Sequence, residues 1–454
     1  MDEIRGAGRT CAAGARIATF CFAVALALSP VSAAAQPAAT PLHAALEETP
    51  GASGDVRAFY RARDHRPIWI RGGRLGREAD TLLRLLESAE LDGLRPNRYR
   101  PRAVAEAIAA ARSGSPEALA RAEMLLSRRL TDYVRDMRRP PRRTAMIYAE
   151  RDLRTARPRA RAVLAAAAAA APSLQSYLDS VGWMHPFYGR VRAALATSRS
   201  SEQQRILRLN LERLKALPAD SPQRYILVDA AGARLWMFEN GRAHGTMRVV
   251  VGRITDQTPM IAGRIRHAVL NPYWNVPPDL VPSRIAPNVL SRGVGWLRGK
   301  GYQVLSDWSN TPRVVPANAV DWRAAAAGQQ ELRVRQLPGP ENAMGRIKFM
   351  FPNDLGVYLH DTPERGLLRE AARQYSAGCV RVEDAARLGR WLFGRNLRAA
   401  NRSPEQYVAL PEPVPVYITY LTAAPEGQRI VFRRDVYGRD GGHGAAMARR
   451  NPRR

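Results

Sequence analysis

The chain has 454 residues, of which 46% are apolar, so it can supply cores for two or three globular domains, and a disordered or fibrous protein is excluded. The formal charge of +29 comes almost entirely from arginine, because Lys215, Lys300 and Lys348 are the only lysines. Such a charge attracts anionic polymers or surfaces. No nucleic-acid-binding motif and no interleaving of aromatic with basic residues accompanies it, so we interpret the charge as a solvated surface and expect no nucleic-acid partner.

The N-terminus has the pattern of a secretory signal peptide over residues 1–35. Three arginines precede the apolar run IATFCFAVALAL, which is too short for a comfortable membrane span, and the small residues Ala33 and Ala35 mark a cleavage site after Ala35. This pattern predicts export to the periplasm or cell envelope, where acidic polymers could meet the basic surface. Retention of the segment as an N-terminal anchor is the alternative.

Cysteine usage singles out one residue. Cys11 and Cys21 lie within the predicted signal peptide, which leaves Cys379 as the one cysteine of the mature protein. In an oxidising compartment thiols usually pair or are absent, so a lone thiol requires an explanation. Either Cys379 is a small buried hydrophobic residue or it is a reactive group.

The N-terminal half has helical periodicity. Residues 36–54 are predicted as a linker and residues 55–217 as an all-α domain, because leucines recur there at spacings of three and four. The sequence Ser115-Pro116-Glu117 is a typical helix start before a long amphipathic run.

The C-terminal half, residues 218–437, is β-rich. The runs RYILVDA, ARLWMFEN and MRVVVG predict strands, and Asn240-Gly241 between the second and third predicts a tight hairpin. The runs PVPVYITYL and RIVFRRDVY are predicted to pair and close the domain. The fold class is therefore α+β, with an all-α domain followed by a β-rich domain.

Two segments depart from this pattern. A long insertion at about 277–345 is rich in Pro, Gly and Arg, and an excursion of this length in a β-domain is more often a functional cap than a structureless loop. The Gly- and Arg-rich residues 438–454 predict a disordered basic tail.

The surroundings of Cys379 suit nucleophilic catalysis. A cysteine nucleophile needs a base within hydrogen-bond reach and donors for the developing oxyanion. His360 ends the apolar run GVYLH, and Gly378 permits a tight turn of the backbone. Arg381 could hold a substrate carboxylate or lower the thiol pKa, and Asp361, or a backbone carbonyl, could orient the histidine.

Each of these residues also has an ordinary structural interpretation, as a strand-end histidine, a turn glycine or a surface arginine. Together they favour an enzyme over an inert cysteine. Their spacing does not distinguish transfer from hydrolysis.

These residues also resemble a known family. His360-Asp361-Thr362, a spacer, and then Ser376-Ala377-Gly378-Cys379-Val380-Arg381 resemble the signature of the YkuD-type catalytic domain of L,D-transpeptidases. The segments NPYWNVPPDLVP and GPENAMGRIKFMFPN look like parts of the larger Gram-negative members. The resemblance is strong from about Leu207 to Phe432 and only general over the helical half, which looks like their scaffold domain.

The resemblance implies a β-sandwich-like catalytic domain with a capping subdomain, and a role in peptidoglycan biosynthesis and cell shape. Cys379 would attack the carbonyl between diaminopimelate and the terminal D-alanine of a stem tetrapeptide, and the thioester would pass to a second stem in a 3→3 cross-link. His360 would carry the proton, and the backbone at Gly378 and Cys379 would form the oxyanion hole, with Ser376 and Asp361 in support. Carbapenems would acylate the same thiol, and the resemblance implies no metal or cofactor.

Two departures from the family pattern matter for the site. Ala377 stands where many members have a second histidine, and Ala196 to Arg205 leaves no room for a separate peptidoglycan-binding module. Substrate docking would then rest on the cap and the scaffold, with Trp274, Asn275 and Tyr302 as candidate contacts. Alternatively, the two aromatic residues anchor the core of the cap itself.

Two other functions remain open at this stage. In a cell-wall cysteine L,D-carboxypeptidase, water would resolve the same thioester, and a catalytically silent protein would only bind peptidoglycan. The acceptor, another stem, a free D-amino acid or a protein amine, is not fixed by the sequence.

Overall fold

The computed structural model describes residues 40–49, 54–140, 146–170, 172–219 and 224–441. The predicted signal peptide lies outside the described residues, as do residues 36–39 and 50–53 of the predicted linker and most of the predicted basic tail. From Pro41 onward the chain forms one compact unit. None of the helices in the described ranges is both long and apolar enough to cross a membrane.

Helices dominate as far as residue 214, as predicted. The first lies inside the predicted linker, where Leu46 is buried against the helical core. The elements of this half are the helices α1 (Pro41–Glu48), α2 (Gly54–Ala62), α3 (Glu78–Glu87), α4 (Pro101–Ala111), α5 (Pro116–Met137), α6 (Ala160–Ala168), α7 (Leu174–Asp179), α8 (Pro186–Thr197) and α9 (Ser201–Leu214), and the strands β1 (Ile70–Arg71), β2 (Arg74–Leu75) and β3 (Ile147–Tyr148).

The predicted start of the longest helix is confirmed. The Ser115 hydroxyl accepts a hydrogen bond from the Ala118 N–H at 3.2 Å, and Pro116 occupies the first helical position. The hydroxyl satisfies one backbone donor that a helix N-terminus otherwise leaves unpaired, and Pro116 has no N–H that would need a partner.

Strands dominate the rest of the chain. They are β4 (Arg224–Asp229), β5 (Arg234–Glu239), β6 (Arg242–Gly252), β7 (Ile261–Leu270), β8 (Trp274–Val276), β9 (Tyr302–Leu305), β10 (Val314–Val315), β11 (Arg333–Gln336), β12 (Ile347–Met350), β13 (Leu359–His360), β14 (Gln374–Ser376), β15 (Val380–Val382), β16 (Gln406–Thr419), β17 (Ala423–Glu426) and β18 (Arg429–Phe432). Helices α10 (Ala286–Arg292), α11 (Val294–Gly299), α12 (Trp322–Ala326) and α13 (Ala385–Phe393) are interspersed among them.

The main sheet closes on itself. Its strands run in the order β12-β13-β15-β6-β5-β4-β16-β7, and β12 also pairs with β7. The opposite walls of the closed sheet therefore face each other across a shared core, as the two layers of a sandwich do. Strands β3 and β14 add to β7 and β6 at its margins.

The sequence predicted one hairpin of this sheet correctly and one pairing wrongly. Asn240 and Gly241 both have positive φ (50° and 73°) and join β5 to β6 in register, which is the conformation that an Asn-Gly turn favours. The run RIVFRRDVY, however, does not pair with PVPVYITYL. Its strand β18 pairs instead with β17 through a turn at Gly427 (φ 53°), because a local hairpin needs no long loop closure.

The insertion forms a cap with its own fold. Its strands make a separate four-stranded sheet in the order β10-β9-β11-β8, and a separate apolar core lies beneath the sheet. The first turn, Val281–Ile285, is a π-helix that leads directly into α10.

The helical half shares one hydrophobic core with the closed main sheet, which we call the barrel. Phe187 of α8 packs edge-on against Trp236 and Phe238 of β5, with ring centroids 5.3 and 5.9 Å apart, and Phe238 stacks on Tyr225 of β4. Strand β3, which belongs to the helical half by sequence, extends the barrel sheet at β7. The two halves are therefore distinct in sequence pattern but continuous in packing.

Candidate active site

The strand register brings the predicted nucleophile and base to the same face of the barrel wall. Strands β13 and β15 are parallel neighbours, with His360 opposite Arg381. Cys379 lies two positions before Arg381, and Tyr358 lies two positions before His360. Because side chains alternate along a strand, those of all four residues project to one side of the sheet. All four line the same pocket.

This pocket has a volume of about 420 Å³ and lies between the barrel and the cap. Three regions enclose it. The barrel contributes the four residues named above, the cap contributes Trp274, Leu280 and Arg284, and two connecting segments contribute Met344 and the loop Asp354–Gly356. A substrate that fills this pocket would therefore contact the cap as well as Cys379.

His360 is held as a neutral imidazole. It is 1% exposed, and Nδ1 lies 2.6 Å from the backbone carbonyl oxygen of Asp361. A carbonyl only accepts, so the ring proton is on Nδ1 and Nε2 is left as the basic nitrogen. Burial, reinforced by the charge of Arg381, lowers the pKa of His360 to about 3, against the opposing effect of the Asp361 and Met344 carbonyls.

The thiol of Cys379 is likewise neutral. Burial raises the pKa of Cys379 to about 11, although the Tyr358 backbone N–H and the charge of Arg381 both act to lower it. The Sγ atom lies 3.6 Å from the Gly356 carbonyl oxygen, to which the thiol donates. The site therefore holds a thiol and a neutral imidazole at rest rather than a thiolate and an imidazolium.

The turn before Cys379 is fixed by two hydroxyl groups. Gly378 has φ 104°, a conformation that residues with a side chain rarely adopt. The Ser376 hydroxyl donates to the Cys379 carbonyl at 2.6 Å and accepts from the Gly378 N–H at 3.2 Å. The hydroxyl of Thr258, a fully buried residue, donates to the Gly378 carbonyl at 2.8 Å. The Gly378 N–H predicted for the oxyanion hole is thus already bonded to Ser376.

The charged residues beside the site have partners of their own. The guanidinium of Arg381 lines the pocket, with 11% of its side chain exposed, and is paired with Glu364. The carboxylate of Asp361 accepts from Arg365 at 2.7 Å and from the Arg346 N–H at 2.9 Å. Asp361 therefore contacts His360 through its main chain, and not through its side chain.

Of the three predicted contacts in the cap, only Trp274 lines the pocket. Asn275 is the next residue in strand β8, so it projects to the opposite face, where it is exposed. Tyr302 stacks on Trp296 with ring centroids 5.7 Å apart and packs on the core of the cap. Tyr302 thus packs within the cap, and Asn275 faces away from the pocket, while contact of either residue with glycan or stem peptide stays a prediction.

Sequence reasoning missed Arg284 and Thr258. No motif marks either residue, because each reaches the site through a long-range contact. Alternation along GVYLH, by contrast, would have found Tyr358, since it lies two positions before His360. Among the described residues, no three His, Cys, Asp or Glu side chains converge to hold a metal ion.

Comparison with known families assigns a class to each half of the chain. Residues 223–397 match the YkuD model, described as the L,D-transpeptidase catalytic domain. Residues 54–195 match the model described as the Scaffold domain. The chain therefore contains a YkuD-type catalytic domain preceded by a scaffold domain, which confirms both the resemblance and the α+β fold class.

A relative supports this assignment. A protein of Haemophilus influenzae, provisionally named L,D-transpeptidase, is 30% identical over 253 residues, which are 54% of this chain and 50% of that protein. The chain therefore spans about half the length of this curated relative. A solved structure, that of the Ldtfm–avibactam carbamoyl enzyme, is 13% identical in sequence to this chain. The match covers 45% of this chain and 51% of the other chain, and its TM-score of 0.22 is too low to indicate a shared fold.

Proposed function

We propose that this protein is an L,D-transpeptidase that joins peptidoglycan stems by 3→3 cross-links. The observation that supports it most directly is the parallel register of β13 and β15, which brings Cys379 and His360 to one pocket within a YkuD-type domain. The donor would be a stem tetrapeptide, and the acceptor would be the side-chain amine of diaminopimelate on a second stem.

The first half-reaction forms a thioester. His360 takes the thiol proton at Nε2 as Cys379 Sγ bonds to the carbonyl carbon between diaminopimelate and D-alanine. Because both groups are neutral before substrate arrives, the proton has to pass from the thiol to the imidazole as the C–S bond forms. When the C–N bond breaks, the imidazolium returns the proton to the departing amine, and D-alanine leaves.

The second half-reaction transfers the acyl group. The acceptor amine attacks the thioester carbon, His360 takes a proton from the amine, and the thiol is regenerated with that proton. Both tetrahedral intermediates carry an oxyanion, which the Cys379 N–H would stabilise. Carbapenems would acylate the same thiol.

Hydrolysis is the closest alternative. If water takes the place of the acceptor amine, the same thioester yields a tripeptide, and the protein is an L,D-carboxypeptidase. A catalytically silent peptidoglycan-binding protein is the third reading, and the buried His360 beside a pocket-lining thiol disfavours it.

Export is part of the proposal. The predicted signal peptide would deliver the protein to the periplasm, where the substrate is found, and the charge of +29 would attract acidic envelope polymers.

The proposal is tested by intact-mass spectrometry of residues 36–454 mixed with disaccharide-tetrapeptide. We expect a covalent adduct that Cys379→Ala abolishes, together with a cross-linked dimer that has lost one D-alanine. An adduct that yields only tripeptide would identify the carboxypeptidase instead. A folded protein that gives neither adduct nor product, and that a carbapenem does not acylate, would refute both enzymatic functions.

A further inference from the structure

Arg284 is a cation of the pocket to which neither the motif nor the family comparison assigns a role. It lies on the π-helical turn Val281–Ile285 at the start of the cap, is partly buried, and lines the same pocket as Cys379. The cap thus presents a guanidinium toward the nucleophile from the side opposite the barrel strands.

The carboxylates nearest to this guanidinium are engaged elsewhere. Asp256 is paired with Arg253 at 2.8 Å, and Glu364 is paired with Arg381. Both act on Arg284 only through longer-range charge, and Arg253 and Arg381 oppose them. Within the described part of the chain, no carboxylate forms an ion pair with Arg284.

The acidic residues of the pocket do not neutralise it either. Asp279 and Asp354 line the pocket but are exposed, so water solvates their charges. Burial, followed by the charge of Arg253, lowers the pKa of Arg284, which means that its cationic form is poorly solvated where it stands.

A guanidinium in this position is suited to a carboxylate ligand. Its planar fork donates two parallel hydrogen bonds to a carboxylate, and a partly desolvated cation gains more from such a partner than an exposed one does. Arg381 faces the same pocket but already has Glu364. Arg284 is therefore the pocket arginine that is available to a carboxylate without first breaking an ion pair.

We propose that Arg284 binds a free carboxylate of the stem peptide that enters the pocket, so that the cap takes part directly in substrate recognition. This inference rests on the proposed function for the identity of the ligand. The free carboxylates of a stem tetrapeptide that lie next to the scissile bond are those of diaminopimelate and of the terminal D-alanine, and each is a candidate.

Equilibrium binding to Cys379→Ala, which cannot form the thioester, tests the inference without turnover. In that background, Arg284→Gln should weaken binding of the free-acid tetrapeptide by about 10- to 100-fold, the range for losing one charge-assisted hydrogen bond. Amidation of the carboxylate that Arg284 binds should abolish the difference in affinity between the protein with Arg284 and Arg284→Gln. Comparing the two amidated peptides would therefore identify which carboxylate binds. Arg284→Lys should recover part of the affinity.

Arg292→Gln is the matched control, because Arg292 ends α10 of the same cap, is exposed and does not line the pocket. It should leave binding unchanged. Equal losses for the free acid and both amides, an unchanged affinity in Arg284→Gln, or no binding of tetrapeptide by Cys379→Ala would each overturn the inference.

Turnover by the wild-type protein is assayed separately. Binding that depends on Arg284 without any cross-linked product would refute the transpeptidase and leave the carboxylate site standing. Cross-linking by the wild type, together with a tetrapeptide affinity that does not depend on Arg284, would refute the carboxylate site and leave the transpeptidase standing.

Discussion

Thr258 controls the direction of a single backbone N–H. Its hydroxyl accepts from the Gly252 N–H and donates to the Gly378 carbonyl, both at 2.8 Å. The C=O of Gly378 and the N–H of Cys379 belong to one planar trans peptide, so they point in opposite directions. With the carbonyl bonded to buried Thr258, the Cys379 N–H is directed away from the interior, toward the side on which Cys379 lines the pocket.

We expect Thr258→Val to lower kcat by about 10- to 100-fold with little change in KM, because a misdirected oxyanion donor weakens only the transition state. Thr258→Ser keeps the hydroxyl and should retain most of the activity. Alkylation of Cys379 by iodoacetamide forms no oxyanion and should proceed at the same rate in all three proteins. An equal loss of alkylation would mean that Thr258 only supports the thiol or the fold.

At the residue scale, the sequence pointed to the main residues that the strand register brings to the pocket, but not to those that position them. Cys379, His360 and Gly378 could be found because a nucleophile, a base and a turn glycine are restricted residue types in a short motif. The distance of 120 residues between Thr258 and Gly378 carries no such signal. The sequence left open whether Asp361 or a backbone carbonyl orients His360, because residue type alone does not show whether a main chain or a side chain makes the contact, and in the structure the Asp361 carbonyl makes it.

Among the elements, α5 carries an unusual buried acid. Glu123 is fully buried, and its carboxylate accepts from the Tyr60 hydroxyl and the Ile68 N–H, each at 2.6 Å, and from the Trp69 N–H at 3.1 Å. Burial raises the pKa of Glu123 to about 7, and these three donors only partly offset the effect. The carboxyl group thus joins α5 to α2 and to the segment at Ile68–Trp69.

This acid should make stability depend on pH. The folded state holds the proton more tightly than the unfolded state, whose carboxyl group has a pKa of 4.5, so the stabilisation is complete below pH 4.5 and is lost as pH rises to about 7. The free energy of unfolding in urea, measured across this window, should fall more steeply in the wild type than in Glu123→Gln, by about 3 kcal/mol in total. Parallel profiles for the two proteins would refute the assignment.

The sequence predicted correctly those features whose signals act over only a few residues. The Ser115 cap and the Asn240-Gly241 turn each act within four residues, and both were found. The β17–β18 hairpin was missed because PVPVYITYL and RIVFRRDVY are equally β-rich, and composition does not state which strands pair. The closure of the barrel through β12 depends on pairing across the whole domain and could not be predicted from a segment of the chain.

For the molecule as a whole, the shared core predicts one cooperative unfolding transition. Phe187→Ala removes a ring that contacts Trp236 and Phe238 across the boundary between the halves. We expect Tm to fall on the order of 5 °C, by the same amount whether unfolding is followed by helical circular dichroism or by proteolytic cleavage within the β-rich half.

Phe432→Ala is the control for this prediction, since its ring is 38% exposed, and its effect on Tm should be small. If the temperature at which the helical signal is lost shifts in Phe187→Ala while that for cleavage of the β-rich half does not, the two halves unfold independently.

The strands that flank the cap, β7 and β12, are paired neighbours in the barrel. Leu270 lies opposite Ile347, and the Asn271 N–H donates to the Arg346 carbonyl at 3.1 Å, so the chain leaves and re-enters the barrel at one point. The pairing that closes the barrel at this point thus involves no residue of the cap. Evolution can therefore lengthen, shorten or replace the cap, and with it Arg284 and Trp274, while the strands that carry Cys379 and His360 stay unchanged. Divergence in substrate preference among related enzymes should accumulate in this insertion.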